Sequence, residues 1–205
     1  MSASLHGAGQ TAVVLGHGAG SDRRHPRLLA LAEALAASGR GAVLFNFPYR
    51  ERGGRAPDPA PVLEGTAQAV GEYARARLGA ARLVLGGRSM GGRIASQAVA
   101  AGAQAEGLVF LAYPLHPPGR PEILRDRHLP RITAPMLFVQ GTRDAFARFD
   151  LLEATLARLG DRATLHRVEG GDHSFSVPKR SGRPPAEVEA EVQRAVLDWL
   201  AARGL

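Results

Sequence analysis

The sequence predicts an α/β fold: about six mostly parallel strands in one sheet, with helices on both faces. Three observations carry this. Short apolar runs alternate with segments whose apolar residues recur at helical spacing, the order that builds strand–helix–strand units. The runs are continuously apolar, as strands buried on both faces require. Glycine or proline punctuates boundaries, at Gly39, Gly102 and Pro135.

The elements follow in order. Thr11–Gly16 (TAVVLG) reads as the first strand. Residues 27–37 (RLLALAEALAA) form a helix that Gly39 stops. Gly41–Phe47 (GAVLFNF) is the second strand, and after the proline-rich loop 56–61 a helix covers 62–78. Arg82–Gly86 is the third strand, and a helix over 89–101 ends at Gly102. Gly107–Ala112 is the fourth strand. Met136–Gln140 is the fifth, entered at Pro135, and a helix follows over 148–159. Ala163–Val168 is the sixth, and an amphipathic helix over 185–203 closes the order. No internal repeat or long linker divides the chain, so residues 1–205 are expected to form a single domain. The loops 48–61 and 113–131 both follow strands, which places them at the sheet's carboxyl edge, where open α/β sheets bind ligands. The second is expected to hold a short helix near 121–126.

Composition narrows the function classes. With 205 residues, 45% hydrophobic and 22% charged, the chain can bury a sizeable core and is not of the disordered type. No apolar run approaches the ~20 residues of a membrane span. The start, MSASLHGAGQ, lacks the basic and apolar segments of a secretory signal, so a cytoplasmic location is expected. Cysteine is absent, which excludes disulfides, a thiol nucleophile and thiolate metal sites. The net charge of +7 and pI near 11.0 raise nucleic acid as a partner. Yet Lys179 is the one Lys among 26 cationic residues, and the arginines are interleaved with Asp and Glu along the chain. Without a run of like charges they read as a solvated surface, and neither nucleic acid nor membrane is expected as a partner.

The chemistry centres on LVLGGRSMGG, residues 83–92. Gly87-Arg88-Ser89-Met90-Gly91 is a G-x-S-x-G pattern, weak alone but set between a strand and a helix, as a nucleophile elbow demands. The turn is sharp enough to strain the serine backbone, and side chains at the flanking positions would collide with strand and helix. A phosphate-binding turn is the rival, but the G-x-x-x-x-G-K-[ST] loop is missing. A serine needs a base and a group that orients the base. Asp144 follows the fifth strand in Gly141-Thr142-Arg143-Asp144, and His173 follows the sixth in Gly170-Gly171-Asp172-His173. The order Ser89, Asp144, His173 is that of a triad in which His173 takes the serine proton and Asp144 holds its tautomer.

Other residues take lesser roles. Asp172 reads as a turn residue, His166 as packing, and His116 as the best rival base. The first strand ends in Gly16-His17-Gly18-Ala19-Gly20, whose small residues let amides approach a substrate oxygen. The backbone N–H groups of Ala19 and Met90 are the expected oxyanion donors, the latter helped by a helix N-terminus. His17 reads as holding loop shape by a hydrogen bond, with substrate contact as its second reading. Arg88, Tyr113 and Leu115 are expected at the rim with Arg50 and Arg52. Arg88 either favours an anionic substrate group or faces solvent or an acid. No metal-ligand spacing is present, and neither metal nor cofactor is expected.

On HGAG at 17–20, GGRSMGGR at 86–93, QGTRDAF at 140–146 and GGDHSF at 170–175, the chain resembles the α/β-hydrolases over nearly its whole length. Within them it is similar to small bacterial hydrolases of the KANSL type and, more distantly, to dienelactone hydrolases. The latter use a cysteine nucleophile; this chain has none, so their substrate class does not carry over. The resemblance implies a minimal α/β-hydrolase fold with no cap domain and an open site. It implies a serine hydrolase that cleaves small or medium acyl esters through an acyl-enzyme, as a monomer or homodimer. A peptidase, thioesterase, lipase or acyltransferase would use the same triad. A binding or scaffold protein that kept the fold, and an arginine-driven nucleic-acid binder, are rivals from other classes.

Overall fold

The structure, a computed structural model, describes residues 2–205. In chain order its elements are β1 (Ala3–His6), β2 (Thr11–Gly16), α1 (Pro26–Ala37), β3 (Gly41–Phe45), α2 (Pro48–Glu51), α3 (Ala60–Leu78) and β4 (Arg82–Arg88). They continue with α4 (Met90–Ala100), β5 (Gly107–Leu111), β6 (Met136–Gly141), α5 (Phe149–Leu159), β7 (Ala163–Val168) and α6 (Pro185–Ala202). The strands form one seven-stranded sheet of order β1-β3-β2-β4-β5-β6-β7. All neighbours from β3 to β7 pair in parallel, and β1 pairs antiparallel with β3.

Alternation within the strands sorts side chains to the two faces. Val13 and Leu15 of β2, Val109 and Leu111 of β5 and Leu137 and Val139 of β6 meet α1 and α6. The intervening Ala12 and Val14 of β2 meet α3 and α4. Phe110 and Phe138 pack with Tyr113 and with Leu152, Leu156 and Leu159 of α5. Their rings meet edge-on, Phe110 with Phe138 at 4.7 Å and with Tyr113 at 5.3 Å. The chain runs from β2 outward to β3, then returns to β4 on the other side of β2. The carboxyl ends of β2 and β4 therefore flank a topological switch point, the crevice that α/β sheets use for ligands.

The structure departs from expectation at several elements. The sheet has seven strands rather than about six. The extra one, β1, is short and half-buried at an edge, with Leu5 exposed, so it lacks the continuous apolar run of a central strand. The second strand stops at Phe45, because the chain turns into α2, led by Pro48. The helix near 121–126 does not form; that stretch holds turns, and a 3₁₀ turn lies at Leu129–Arg131. Its backbone is instead tied inward, the Arg125 amide donating to Leu115 O at 2.7 Å. No separate cap domain is built on the sheet among the described residues, and none of their helices is long and apolar enough to cross a membrane.

Candidate active site

β4 delivers Ser89 at the switch point. The residue sits between strand and helix with φ 51 and ψ −117, a left-handed conformation that a non-glycine residue holds only under strain. Its amide is tied to Leu111 O at 2.9 Å. The flanking glycines are sterically required. A Cβ on Gly87 would fall 2.2 Å from Gly16 O, and one on Gly91 2.1 Å from the same atom. The elbow thus lies directly on the end of β2.

β6 and β7 bring the other two groups. Ser89 Oγ lies 2.8 Å from His173 Nε2, and His173 Nδ1 lies 2.7 Å from Asp144 Oδ2. These distances fit a hydroxyl that donates to Nε2 and an imidazole that donates from Nδ1 to the carboxylate. The Asp144 side chain is fully buried and the His173 side chain 18% exposed. Three donors besides water-excluding neighbours stabilise this buried carboxylate. Gln140 Nε2 donates to Oδ2 at 2.6 Å, the Phe146 amide to Oδ1 at 2.7 Å, and His173 supplies the third. The Phe146 ring stacks on the imidazole, centroids 4.2 Å apart. Asp172, as expected of a turn residue, accepts from the Ser174 and Ser176 amides with Oδ1.

A cleft of about 300 Å³ opens beside Ser89. Ala19 and Met90 line it, with Leu63 and Ile94 as apolar wall and Arg93 and Arg125 as its cations. Among the described residues neither the Ala19 nor the Met90 amide donates to a protein acceptor. The loops 48–61 and 113–131 both reach this cleft, through Pro57, Asp58, Ala60, Pro114 and Arg125. A larger groove of about 580 Å³ between β7 and α6 shares no residue with it.

Four expected substrate contacts are placed elsewhere. His17 has 0% exposure, its Nδ1 donating to Gly18 O and its Nε2 accepting from the Phe47 amide at 3.2 Å. Burial lowers its pKa, so it stays neutral in this role. Its first reading, as a shaper of the loop, fits and contact with substrate does not. Tyr113 and Leu115 also have 0% exposure. Ala112 adopts φ 55, and beyond that turn Tyr113 lies within the β5–β6–α5 core with its hydroxyl donating to Arg125 O at 2.9 Å. Arg88 does not line the cleft; its guanidinium donates to Ser174 Oγ at 3.1 Å and reaches His173 O at 3.4 Å. It ties the elbow to the histidine loop. Arg52 pairs with Asp58, and Arg50 donates to Gly54 O.

His116, His166 and His128 are engaged structurally. His116 donates to Pro117 O and accepts from the Arg148 amide at 2.8 Å, so it is not a base at the serine. His166 lies 2.9 Å from Glu191, an interaction with α6 rather than simple packing. A second Ser–His contact, Ser96 Oγ to His128 Nε2 at 2.7 Å, has a fully buried serine and no carboxylate on the imidazole among the described residues. No group of three or more His, Asp or Glu among the described residues is placed to hold a metal ion. Sequence reasoning missed Gln140, Phe146, Arg93 and Arg125 as site residues. Gln140 carried a signal, a polar residue ending the apolar run MLFVQ.

Comparisons with known proteins agree with the fold. A family described as "alpha/beta hydrolase domain" matches residues 9–201. An α/β serine hydrolase without a lid from Xanthomonas campestris is similar at 24% identity, with 96% of this chain and 88% of that one covered and a TM-score of 0.73. A monoacylglycerol lipase of Paleococcus ferrophilus has 18% identity, 98% coverage of both chains and a TM-score of 0.75. A dienelactone hydrolase of Anabaena variabilis has 21% identity, coverage of 98% and 90%, and a TM-score of 0.71. At these identities the likeness is one of fold.

Proposed function

Because the chain belongs to the alpha/beta hydrolase domain family, we propose that it is a serine hydrolase that cleaves carboxylic esters of small or medium acyl groups. The observation that carries this is the continuous hydrogen-bonded line from Asp144 through His173 to Ser89, ending at the cleft. The neighbours named as a lipase and a dienelactone hydrolase support ester chemistry.

In this reading the Ser89 oxygen attacks the ester carbonyl carbon while His173 Nε2 takes the hydroxyl proton. The carbonyl electron pair moves onto oxygen, and the Ala19 and Met90 amides donate hydrogen bonds to that oxyanion. Each such donor is worth about 3 kcal/mol in the transition state. Asp144 stabilises the imidazolium. Collapse of the tetrahedral species breaks the ester C–O bond, and His173 returns its proton to the departing alcohol. Water then repeats the sequence on the acyl-enzyme, giving the acid and free Ser89. The reaction balances with water as the sole co-reactant. The cleft's volume of about 300 Å³ suits a short or medium acyl chain.

A series of p-nitrophenyl esters of increasing acyl length tests this. Turnover that peaks at short or medium chains and is lost in Ser89→Ala is expected. Absence of turnover across the series in the wild type would remove the proposal.

A further inference from the structure

The cleft beside Ser89 holds two arginines that its chemistry, as described, does not use. Arg93 lies one turn into α4, and Arg125 comes from the loop 113–131. Neither forms an ion pair with a carboxylate among the described residues, whereas Arg52, on the same loop wall, pairs with Asp58, and Arg158 pairs with Asp126. Arg93 Nη1 donates to Gln97 Oε1 at 3.0 Å, but its Nε is buried without a partner. The Arg125 guanidinium has no hydrogen-bond acceptor among the described residues, while its backbone is held at both groups, the amide on Leu115 O and the carbonyl under the Tyr113 hydroxyl.

This arrangement is costly without a ligand. Burial and the neighbouring Arg93 charge both lower the pKa of Arg125, the signature of like charges crowded in a partly desolvated place. Arg93 Nε, buried without an acceptor, forfeits a hydrogen bond that it makes in water. The acid in the same wall, Asp58, is already engaged by Arg52 and by the Tyr49 amide, the latter at 2.8 Å. An anion brought by the substrate would supply what the protein does not. A carboxylate suits best, because its two oxygens lie in one plane and match the guanidinium fork.

Building on the serine-hydrolase reading, we infer that Arg93 and Arg125 form a carboxylate-binding subsite, so that the preferred substrates are esters bearing a free carboxylate. This relocates the anion preference first considered for Arg88, whose guanidinium is committed to the loop at 173–174. The carboxylate could sit on the acyl chain or on the alcohol.

Two substrate pairs distinguish these sources. One compares the mono-p-nitrophenyl ester of glutaric acid with p-nitrophenyl valerate, and the other 4-butyryloxybenzoate with phenyl butyrate. The wild type is expected to prefer the carboxylate-bearing member of at least one pair in kcat/KM. That preference should fall by about 10- to 100-fold in Arg93→Gln and in Arg125→Gln, the loss typical of a charged hydrogen-bond partner. Arg93→Lys and Arg125→Lys should retain part of it. Calorimetry with Ser89→Ala supplies a readout independent of turnover. The glutarate ester should bind saturably, and binding should weaken when either arginine is replaced. Equal kcat/KM within both pairs, a preference that survives in the double variant, or calorimetric binding indifferent to both arginines would overturn the inference. If no ester is turned over but the arginine-dependent binding is present, the hydrolase reading fails and the subsite stands.

Discussion

Asp144 and His173 meet at 2.7 Å through a carboxylate with no exposed surface, and that contact sets which imidazole nitrogen faces Ser89. With Nδ1 donating to the carboxylate, Nε2 is left free to accept the hydroxyl proton. Asp144→Asn presents an amide that can place an N–H where the acceptor stood, favouring the wrong tautomer. The account expects kcat to fall by about 10³- to 10⁴-fold with little change in KM. Steady-state kinetics on a p-nitrophenyl ester measures it, and a loss under tenfold would detach Asp144 from the chemistry.

Gln140 acts one step further back. Its Nε2 donates to Asp144 Oδ2 and its Oε1 accepts from the Tyr113 amide at 2.8 Å, so it fixes the acid against the β5 turn. Gln140→Leu removes both bonds at a fully buried site and should cost about 1–3 kcal/mol of stability. Because the residue positions the acid and touches no substrate, kcat should drop while KM holds. Parallel chemical melts and kinetics separate these effects. A KM change without a kcat change would place Gln140 elsewhere in the mechanism.

The elbow tolerates no added carbon. Gly87→Ala introduces a Cβ 2.2 Å from Gly16 O at φ 145, so backbone must move. The expected cost is about 3 kcal/mol or more, with loss of activity because the same movement displaces Ser89. Gly65, exposed within α3, has nothing within 4 Å of its would-be Cβ, and Gly65→Ala should stabilise by about 0.5–1 kcal/mol. Urea melts of the two variants should move in opposite directions.

His128 gives a pH signature. Burial, aided by Arg93 and Arg131, lowers its pKa from 6.5 to about 4. The unfolded chain takes up a proton below pH 6.5 that the folded chain refuses until near pH 4. Its share of stability is therefore complete above pH 6.5 and lost as pH falls toward 4. His128→Gln should flatten the dependence of unfolding free energy on pH in that window by up to about one bound proton. Denaturant melts across pH 4–7 provide the comparison; an unchanged slope would contradict the assigned burial.

Much of this was legible in the amino-acid order, for a physical reason. Thr11–Gly16 is a strand with the bounds read from its apolar run, because a central parallel strand needs apolar residues on both faces. Ser89, Asp144 and His173 each follow a strand, and the carboxyl ends of parallel strands converge on one edge. What the order concealed is the direction of side chains beyond those ends. Tyr113 and Leu115 stand in a loop at the correct edge, yet the left-handed turn at Ala112 leads them into the core. Arg93 and Arg125 reach one cleft from a helix and a distant loop, and no local pattern reports that meeting. β1 escaped because an edge strand exposed on one side needs no apolar run.

The most direct measurement is reaction with a fluorophosphonate followed by mass spectrometry of the peptide that contains residue 89. The account predicts one adduct per chain on Ser89, abolished in Ser89→Ala and strongly slowed in His173→Ala. An unreactive wild type, or an adduct that forms as fast without His173, would contradict the claim that this histidine activates that serine.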